Sequence, residues 1–286
     1  MEASRLRKRL DPHLVRREPP GQSPFDSVSE VPLVELASES GRSLRRVMID
    51  CLKAGVWPER FRAQRGSMSA EDQARLLDSC AAVIGAGGLG GHVILLLART
   101  GVGRLAVCDG DRFDESNLNR QALAWPDRLG RNKARVAAER VADLNPACQV
   151  LPFPAMATPE NIGEVLGPAR VVVDCLDRIE TRLMVERAAR ERGLPFIHGA
   201  VAGLEGLIMT VFPDDPGLEG VYGSQAAAKE DSAEVVLGVP TVSPAAVAAF
   251  QAAEAVRLLL GREPAARGRL LHLDLSVFEL ESFTLA

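Results

Sequence analysis

The chain has 286 residues, 47% of them hydrophobic and 25% charged, a composition typical of a soluble globular protein with one main α/β core. Its formal net charge of −4 gives no support for a nucleic-acid or anionic-membrane partner. The N-terminus lacks the apolar segment of a signal peptide, and no apolar run approaches the ~18 residues of a membrane helix, so the sequence predicts a cytoplasmic protein.

The first 68 residues are predicted to form an extension ahead of the main domain. Residues 1–30 mix basic residues with prolines and show no sustained apolar period, which favours a flexible tail. Residues 31–68 are expected to be helical, on the basis of one apolar helical stripe that contains Leu44, Val47, Met48 and Leu52. A further helix is predicted to begin after Ser69, an N-cap candidate with an acid three residues later.

Strands and helices alternate through residues 69–286, which we assign to the main domain. "AAVIGA", "RLAVCDGD" and "VVVDCLD" are typical of strands, and "GHVILLLARTG" and "NKARVAAERVADLNP" of helices. The alternation predicts an α/β fold with a Rossmann-like, mostly parallel sheet and helices on both faces. "LEGLIMTVFP", "GRLLHLDL" and "FELESFTL" predict a C-terminal antiparallel extension, and the apolar "SPAAVAAFQAAEAVRLLLG" predicts a buried helix.

A glycine loop follows the first strand of this pattern. Gly85, Gly87 and Gly90 form G-x-G-x-x-G between a strand and a helix. Glycine lets the backbone approach a phosphate closely, and a helix N-terminus supplies amide donors and partial positive charge. Asp109 ends the next strand, where an acid accepts the ribose hydroxyls, and Asp111 is the second candidate. These features predict a nucleotide site but do not separate NAD from ATP.

Polar residues further along the chain distinguish the two nucleotides. "DESNLNRQ" places Asn117 and Arg120 past the second strand, Lys133 begins the next helix, and Asp177 ends "VVVDCLD". In such folds these positions meet at the carboxyl edge of the sheet. Cations there neutralise charge on phosphoryl oxygens and a carboxylate can hold Mg²⁺, whereas hydride transfer needs no such cations. The sequence therefore favours ATP with Mg²⁺.

The ordered motifs "VIGAGGLGG", "GVGRLAVCDGDRFDESNLNRQ", "VVVDCLDRIETR" and "PFIHGAVAGLEG" resemble the ThiF/MoeB/HesA family, bacterial relatives of ubiquitin-activating enzymes. The similarity runs from about Arg60 to Leu280. It implies a homodimeric adenylyltransferase that binds ATP and Mg²⁺. It also implies a partner, a small β-grasp carrier protein whose C-terminal Gly-Gly carboxylate attacks the α-phosphate, which releases pyrophosphate and leaves an acyl-adenylate.

The resemblance also implies which residues form the site. Asp109 would bind the ribose, Lys133 would be the phosphate lysine, and Asp177 would be the Mg²⁺-linked aspartate. Arg120, Lys133 and Asp177 are the expected catalytic residues. The expected nucleotide contacts are Gly85, Gly87, Gly88, Gly90, Asp109, Asp111, Ser116, Asn117, Arg120, Lys133 and Asp177.

Two cysteine features of the family are missing. Zinc-containing members carry two C-x-x-C pairs, which are absent from "PGLEGVYGS" and "FELESFTLA", so we predict no structural zinc. Many members have a cysteine before the late helix, but residues 229–244 contain none. We expect no covalent carrier transfer there, because Ser232 and Thr241 have no evident base to activate them.

Two arginine positions also depart from the family. Arg178 stands where Asn commonly follows the aspartate, and there it would either add to phosphate binding or compete with Mg²⁺ for Asp177. The family often has an arginine that reaches the partner subunit's ATP, but "RFRAQ" has Ala63 at that place. Arg62 and Arg65 are the alternatives.

Several functions are compatible with these motifs. The first is adenylation of a sulfur carrier for thiamine, molybdopterin or a related cofactor. The second is ATP-dependent activation of a small or tRNA-borne carboxylate, as in related dehydratases. The third is a non-catalytic nucleotide-binding scaffold, which the missing cysteine and Arg178 leave open. An NAD oxidoreductase would rest on the glycine loop alone and is disfavoured.

Overall fold

The structure is a computed structural model that describes residues 3–21, 23–223 and 236–285. Its helices, in chain order, are α1 Ala3–Leu10, α2 Glu30–Ser40, α3 Leu44–Lys53, α4 Ala70–Leu77, α5 Gly88–Thr100, α6 Lys133–Leu144, α7 Ile162–Leu166, α8 Ile179–Glu191, α9 Leu218–Tyr222 and α10 Val242–Leu259. Its strands are β1 Leu14–Arg17, β2 Phe25–Val28, β3 Val56–Pro58, β4 Cys80–Ile84, β5 Arg104–Cys108, β6 Gln149–Phe153, β7 Val171–Asp174, β8 Phe196–Ala202, β9 Glu205–Val211, β10 Arg269–Asp274 and β11 Glu279–Thr284.

The main sheet has eight strands in the order β11-β10-β9-β8-β7-β4-β5-β6. The five strands from β6 to β8 are parallel, and β9, β10 and β11 add to β8 as an antiparallel extension. The predicted fold class is therefore confirmed. Pairing turns antiparallel where β8 and β9 are joined by a short connection instead of a crossover helix.

Helices cover both faces of the parallel strands. Alternate residues of β4 point to opposite faces, so Ala81 and Val83 pack under α5, α6 and α10, while Ala82 and Ile84 pack under α7 and α8. All four side chains are fully buried. This explains why the strand is apolar throughout, as expected for a parallel sheet covered on both sides.

The chain reverses its direction of travel through the sheet at β4. It runs from β4 outward to β5 and β6, and then returns to place β7 on the other side of β4. The loops after β4 and β7 therefore part to opposite faces, which opens a crevice at the carboxyl ends of the strands. The glycine loop follows β4, and Asp177 follows β7, so the predicted site lies at this crevice.

The N-terminal residues differ from the expected flexible tail. Leu6 and Leu10 of α1 are 0% and 2% exposed, and they join the apolar cluster that α3 contributes to. β1 pairs antiparallel with β2, which pairs parallel with β3. The tail expectation failed because two leucines one helical turn apart, set among basic residues, are too few to show a period in the sequence. The boundary at residue 69 stays a prediction.

Two predicted helices form where we expected them. α3 begins at Leu44 and buries Val47 and Met48, while α4 begins after Ser69 with a capping box between Ser69 and Asp72. The hydroxyl of Ser69 accepts from the amide of Asp72, and the Asp72 carboxylate accepts in return. These caps explain why the sequence marks the start of α4 clearly.

The late apolar helix α10 packs against α5 and against strands β8 and β9. Within the described ranges it is the one helix with the length and hydropathy of a membrane span, although we expected no apolar run of that length. Half of that window is buried inside the protein. Gln251 and Glu254 are buried on it and are hydrogen-bonded to neighbouring elements. α10 is therefore a core helix of this fold, as its composition predicted.

Candidate active site

The glycine loop turns between β4 and α5. Gly85 has a φ of +95°, and a Cβ on it would lie 2.5 Å from the carbonyl oxygen of Cys175. A Cβ on Gly90 would lie 1.8 Å from the carbonyl oxygen of Gly85. Gly87 and Gly88 have only ordinary contacts at 3.6 Å. The first and last glycines of the motif are thus required to close the loop, while the middle ones leave the backbone open.

The N-terminus of α5 fits an anion. Its N-cap is Gly87, and no side chain caps the helix. The first amide groups of a helix have no partner within it, and they carry partial positive charge. α6 differs, because the Asn132 side chain caps it by accepting from the amide of Arg135. The open glycine backbone and the uncapped amides give the start of α5 the geometry of an anion site, and phosphate binding there stays a prediction.

Asp109, at the end of β5, ties this loop to the next one. Its Oδ2 accepts from the amide of Ala86 at 2.7 Å, and its Oδ1 accepts from the amide of Asp111 at 2.8 Å. Burial raises the pKa of Asp109, and the two amides and nearby Lys133 act in the opposite direction. Each carboxylate oxygen keeps a lone pair beyond its amide bond, so the group can also accept hydroxyls.

Lys133 stands at the first turn of α6 with 7% of its surface exposed. Its Nζ lies 3.2 Å from Oδ2 of Asp111, whose side chain is half exposed. Asn132 donates to the backbone oxygens of Asp109 and Asp111 at 2.9 and 3.1 Å. The structure therefore brings Asp109, Asp111 and Lys133 together, and it assigns Asp111 to the lysine and Asp109 to the loop.

The segment from Ser116 to Arg120 lies beside the start of α5. Asn117 is 6% exposed, and its side-chain oxygen accepts a hydrogen bond from the amide of Asp114. Asp114 is the N-cap of this short turn. Arg120 donates to the carbonyl of Ser116 at 2.8 Å and to the Asn119 side chain at 3.0 Å. Among the described residues it pairs with no carboxylate. Its charge is thus held in place without being neutralised.

Asp177 lies three residues beyond the end of β7 and is exposed. Its carboxylate has no hydrogen bond or ion pair within the described ranges, and neither does the guanidinium of its exposed neighbour Arg178. The loop that carries Asp177 touches the glycine loop, because the amide of Cys175 donates to Ile84 at 2.9 Å and the Cys175 carbonyl lies against Gly85. The two loops meet at the crevice between β4 and β7.

A buried polar cluster beneath this loop was not predicted from the sequence. Asp174 and His198 are 0% exposed, and Oδ2 of Asp174 lies 2.7 Å from Nδ1 of His198. Nε2 of His198 lies 2.8 Å from the hydroxyl of Tyr222, which also receives Nη1 of Arg182 at 3.3 Å. The only sequence signal was an acid at the end of an apolar strand, because the partners lie far along the chain.

The arginines near Ala63 are engaged within their own chain. Arg60 donates to Glu30 at 2.6 Å and to the carbonyl of Leu144 at 2.7 Å. Arg62 pairs with Glu59 at 3.0 Å, and the Arg65 guanidinium lies 4.1 Å from the centre of the Phe25 ring. None of the three therefore stands out from its contacts as the arginine that reaches a second subunit.

The donor set fits magnesium better than a fully protein-bound metal. Among residues 3–21, 23–223 and 236–285, no three His, Cys, Asp or Glu side chains gather as a metal site. Mg²⁺ is commonly held by one or two carboxylates together with substrate phosphates. Asp177, whose carboxylate has no partner among the described residues, next to the anion-binding geometry at the start of α5 matches that arrangement. The sequence has no cysteine in residues 229–244. Residues 229–235 of that segment lie outside the described residues.

The chain is similar in sequence to known proteins. The sequence profile of the ThiF family matches residues 61–286. The SAMP-activating enzyme E1 of Haloferax volcanii is 40% identical over 204 residues, which cover 71% of this chain and 76% of that protein. The sulfur carrier protein adenylyltransferase of Thermus thermophilus is 39% identical over 214 residues, which cover 71% of this chain and 78% of that protein.

Solved structures share the fold. The crystal structure of PaaA has a TM-score of 0.65 at 21% identity and covers 88% of this chain and 74% of its own. The crystal structure of E. coli MccB with AMPCPP and MccA has a TM-score of 0.68 at 19% identity and covers 80% of this chain and 72% of its own. At these identities the likeness concerns the fold alone.

Proposed function

This chain belongs to the ThiF family, and from that premise we propose that it transfers the adenylyl group of ATP to the C-terminal Gly-Gly carboxylate of a small ubiquitin-like sulfur carrier. Relatives that are named for adenylation of sulfur carriers support the reaction and the class of substrate. The chain is then a nucleotidyltransferase. The pathway that its carrier serves is set by the carrier and not by this site.

One observation carries the proposal. The uncapped N-terminus of α5 and the loop that bears Asp177 touch at Gly85, where a Cβ would lie 2.5 Å from the Cys175 carbonyl. An anion-binding helix end and an unpartnered carboxylate therefore share one crevice. A triphosphate with a divalent cation is the ligand that needs both.

The reaction is an in-line displacement at the α-phosphorus. A carboxylate oxygen of the carrier forms a bond to the α-phosphorus, and the bond to the bridging oxygen of the β-phosphate breaks. Pyrophosphate leaves with the electron pair, and the carrier keeps AMP as a mixed anhydride. Because no proton has to be removed from a carboxylate, the site needs no general base, and its work is to position the reactants and neutralise charge.

The roles of the side chains follow from their placement. Asp109 would accept the ribose hydroxyls with the lone pairs that its amide bonds leave free. Lys133 and Arg120 would neutralise the phosphate oxygens, with Arg120 able to contact two at once. Ser116 and Asn117 hold the turn that presents Arg120. Asp177 would hold Mg²⁺, which supplies charge neutralisation between the phosphates.

The assembly and location belong to the same proposal. We expect a twofold homodimer in the cytoplasm, with ATP and Mg²⁺ as the ligands and no zinc. A symmetric pair is the commonest assembly of soluble proteins. Since Arg60, Arg62 and Arg65 are engaged within the chain, each site is expected to use its own Arg120 for the phosphates.

ATP–pyrophosphate exchange tests the function. The purified chain is mixed with ATP, Mg²⁺, labelled pyrophosphate and each Gly-Gly carrier encoded in the same genome. We expect label to enter ATP with one carrier and not with the same carrier lacking its terminal Gly-Gly. Exchange driven equally by the truncated carrier, or by a free small carboxylate, would favour the activation of a different carboxylate. Tight ATP binding with no exchange for any carrier would favour a scaffold.

A further inference from the structure

The buried cluster beneath the Asp177 loop is a directed chain of hydrogen bonds. A guanidinium is only a donor, so Nη1 of Arg182 donates to the hydroxyl oxygen of Tyr222. The hydroxyl of Tyr222 then donates its hydrogen to Nε2 of His198. A carboxylate is only an acceptor, so Nδ1 of His198 donates to Asp174. The neutral Nδ1–H tautomer of His198 is the form that satisfies every link.

Burial favours the same neutral state of the His198 ring. His198 is fully buried, and this burial lowers its pKa, against the opposing effect of the Asp174 carboxylate. The groups that face its ring are Asp174 from β7, Arg182 and Glu186 from α8, and Tyr222 from α9. The neutral side chain of His198 thus lies where β7, α8 and α9 meet.

The two ends of this hydrogen-bond chain hold the backbone of a single residue, Leu176, next to Asp177. Oδ1 of Asp174 accepts from the amide of Leu176 at 3.0 Å. Nε of Arg182 donates to the carbonyl of Leu176 at 3.1 Å, and its Nη2 donates there as well. Leu176 is therefore held at both its amide and its carbonyl, one residue before the carboxylate proposed to hold Mg²⁺.

α9 brings the hydroxyl that closes the chain. Glu186 of α8 accepts from the amide of Leu218, the first residue of α9, at 3.0 Å, and so docks that helix on α8. Tyr222 is the last residue of α9 and the one tyrosine in the sequence. The hydroxyl reaches His198 only when α9 is docked.

We propose that Arg182, Tyr222, His198 and Asp174 are positioning residues that fix the backbone of Leu176 and thereby place the Asp177 carboxylate. This inference rests on the proposed role of Asp177. If the residue before Asp177 made only van der Waals contacts, the exposed Asp177 carboxylate could point in many directions. Hydrogen bonds at both backbone groups of the preceding residue restrict that freedom before the nucleotide arrives.

The test measures ATP affinity by calorimetry with Mg²⁺ and again with EDTA, which needs no carrier. The ratio of the two affinities reports the contribution of the metal. In wild type we expect Mg²⁺ to tighten ATP binding, and Asp177→Asn should abolish that gain. Tyr222→Phe removes only the hydroxyl and should reduce the gain about tenfold, as expected for coupled neighbours, with metal-free binding unchanged.

A double-mutant cycle separates positioning from general damage. In the Asp177→Asn background, Tyr222→Phe should have no further effect, because it acts through Asp177. Thr210→Val is the matched control, since Thr210 is 1% exposed and loses one buried hydrogen bond to Glu254, at 2.8 Å, away from the loop. It should leave the magnesium gain intact. His198→Asn is the second variant, which keeps a donor for Asp174 and loses the link to Tyr222.

The outcomes are distinguishable. A full magnesium gain in both Tyr222→Phe and His198→Asn, with Asp177→Asn defective, would overturn the inference and leave the proposed function standing. An equal reduction of the magnesium gain by Tyr222→Phe in the wild-type and in the Asp177→Asn background would also overturn it. No effect of Asp177→Asn on the gain would overturn the role of Asp177 and this inference together.

Discussion

The carboxyl ends of β5 and β7 each carry two acids, and the two ends use them differently. At β5, Asp109 binds the backbone of the glycine loop and Asp111 pairs with Lys133, so both acids act within the site. At β7, Asp174 is buried and binds His198 and the amide of Leu176. The exposed Asp177 carboxylate has no hydrogen bond or ion pair among the described residues. At the β5 end, the two acids are bound to backbone amides and to a lysine. At the β7 end, Asp174 holds the loop and the Asp177 carboxylate stays exposed.

The largest expected effect is on stability at β7. Asp174→Ala should cost about 3–5 kcal/mol, because it removes a buried ion pair of Arg182 and the acceptor of His198. Asp177→Asn, three residues on, should change stability by less than about 0.5 kcal/mol, because the side chain is exposed. Urea unfolding of the two variants measures both values. Equal losses would remove the distinction between the two acids.

The second effect is on the reaction rate. Asp177→Asn should lower pyrophosphate exchange by about 10² to 10³ fold, the usual loss when one electrostatic contact to a transition state is removed. ATP binding measured with EDTA should stay near the wild-type value. Exchange at the wild-type rate in this variant would mean that the free carboxylate at β7 has no part in the chemistry.

The third effect concerns the charge pair at β5. Lys133→Met keeps the apolar stem and removes the charge, so ATP affinity should fall about tenfold, as for loss of a hydrogen bond to a charged group. Arg135→Met, two residues further along the same helix and exposed, is the control, with an expected change below about twofold. Calorimetry with ATP and Mg²⁺ measures both. The account of β5 fails if the two variants lose affinity equally.

The smallest effect is a pH dependence that comes from His198. Its pKa is lowered in the folded protein, so the unfolded chain binds more protons once the pH falls below the ordinary value near 6.5. The stability contributed by the neutral ring is complete above that value. It is lost as the pH falls, by at most about 1.4 kcal/mol per unit, until the folded pKa is reached.

Urea unfolding of wild type and His198→Asn between pH 7 and 5 measures this slope. The difference in unfolding free energy between the two proteins should shrink as the pH falls, and other groups cancel in that difference. A difference that stays constant across the range would show that His198 is not held neutral by its burial.

The β4–α5 loop and the end of β5 could be predicted because the residues that form each of them lie close together in the sequence. The glycine pattern, the acid after β5 and the lysine at the start of α6 each have a local geometric requirement. At Gly90, for example, a Cβ would lie only 1.8 Å from the carbonyl oxygen of Gly85. Parallel strands bring such residues to one edge without further information. The sequence thus predicts the fold class and where the site residues lie along the chain.

The buried network and the N-terminal elements were not predictable in the same way. Asp174, His198 and Tyr222 lie on different elements, and only the packing of α8 and α9 against the sheet makes them neighbours. Leu6 and Leu10 gain their burial from a cluster built by α3 and its neighbours. Burial and long-range partners are properties of the assembled fold, so no local pattern records them.

Intact-mass spectrometry of the carrier tests the central claim most directly. The chain is incubated with ATP, Mg²⁺ and the carrier that supports exchange, with pyrophosphatase present to draw the reaction forward. We expect the carrier to gain the mass of AMP less one water with wild type, and to gain it about 10² to 10³ fold more slowly with Asp177→Asn. An unmodified carrier alongside ATP cleaved to ADP and phosphate, or an adduct that forms equally fast with the variant, would contradict the central claim.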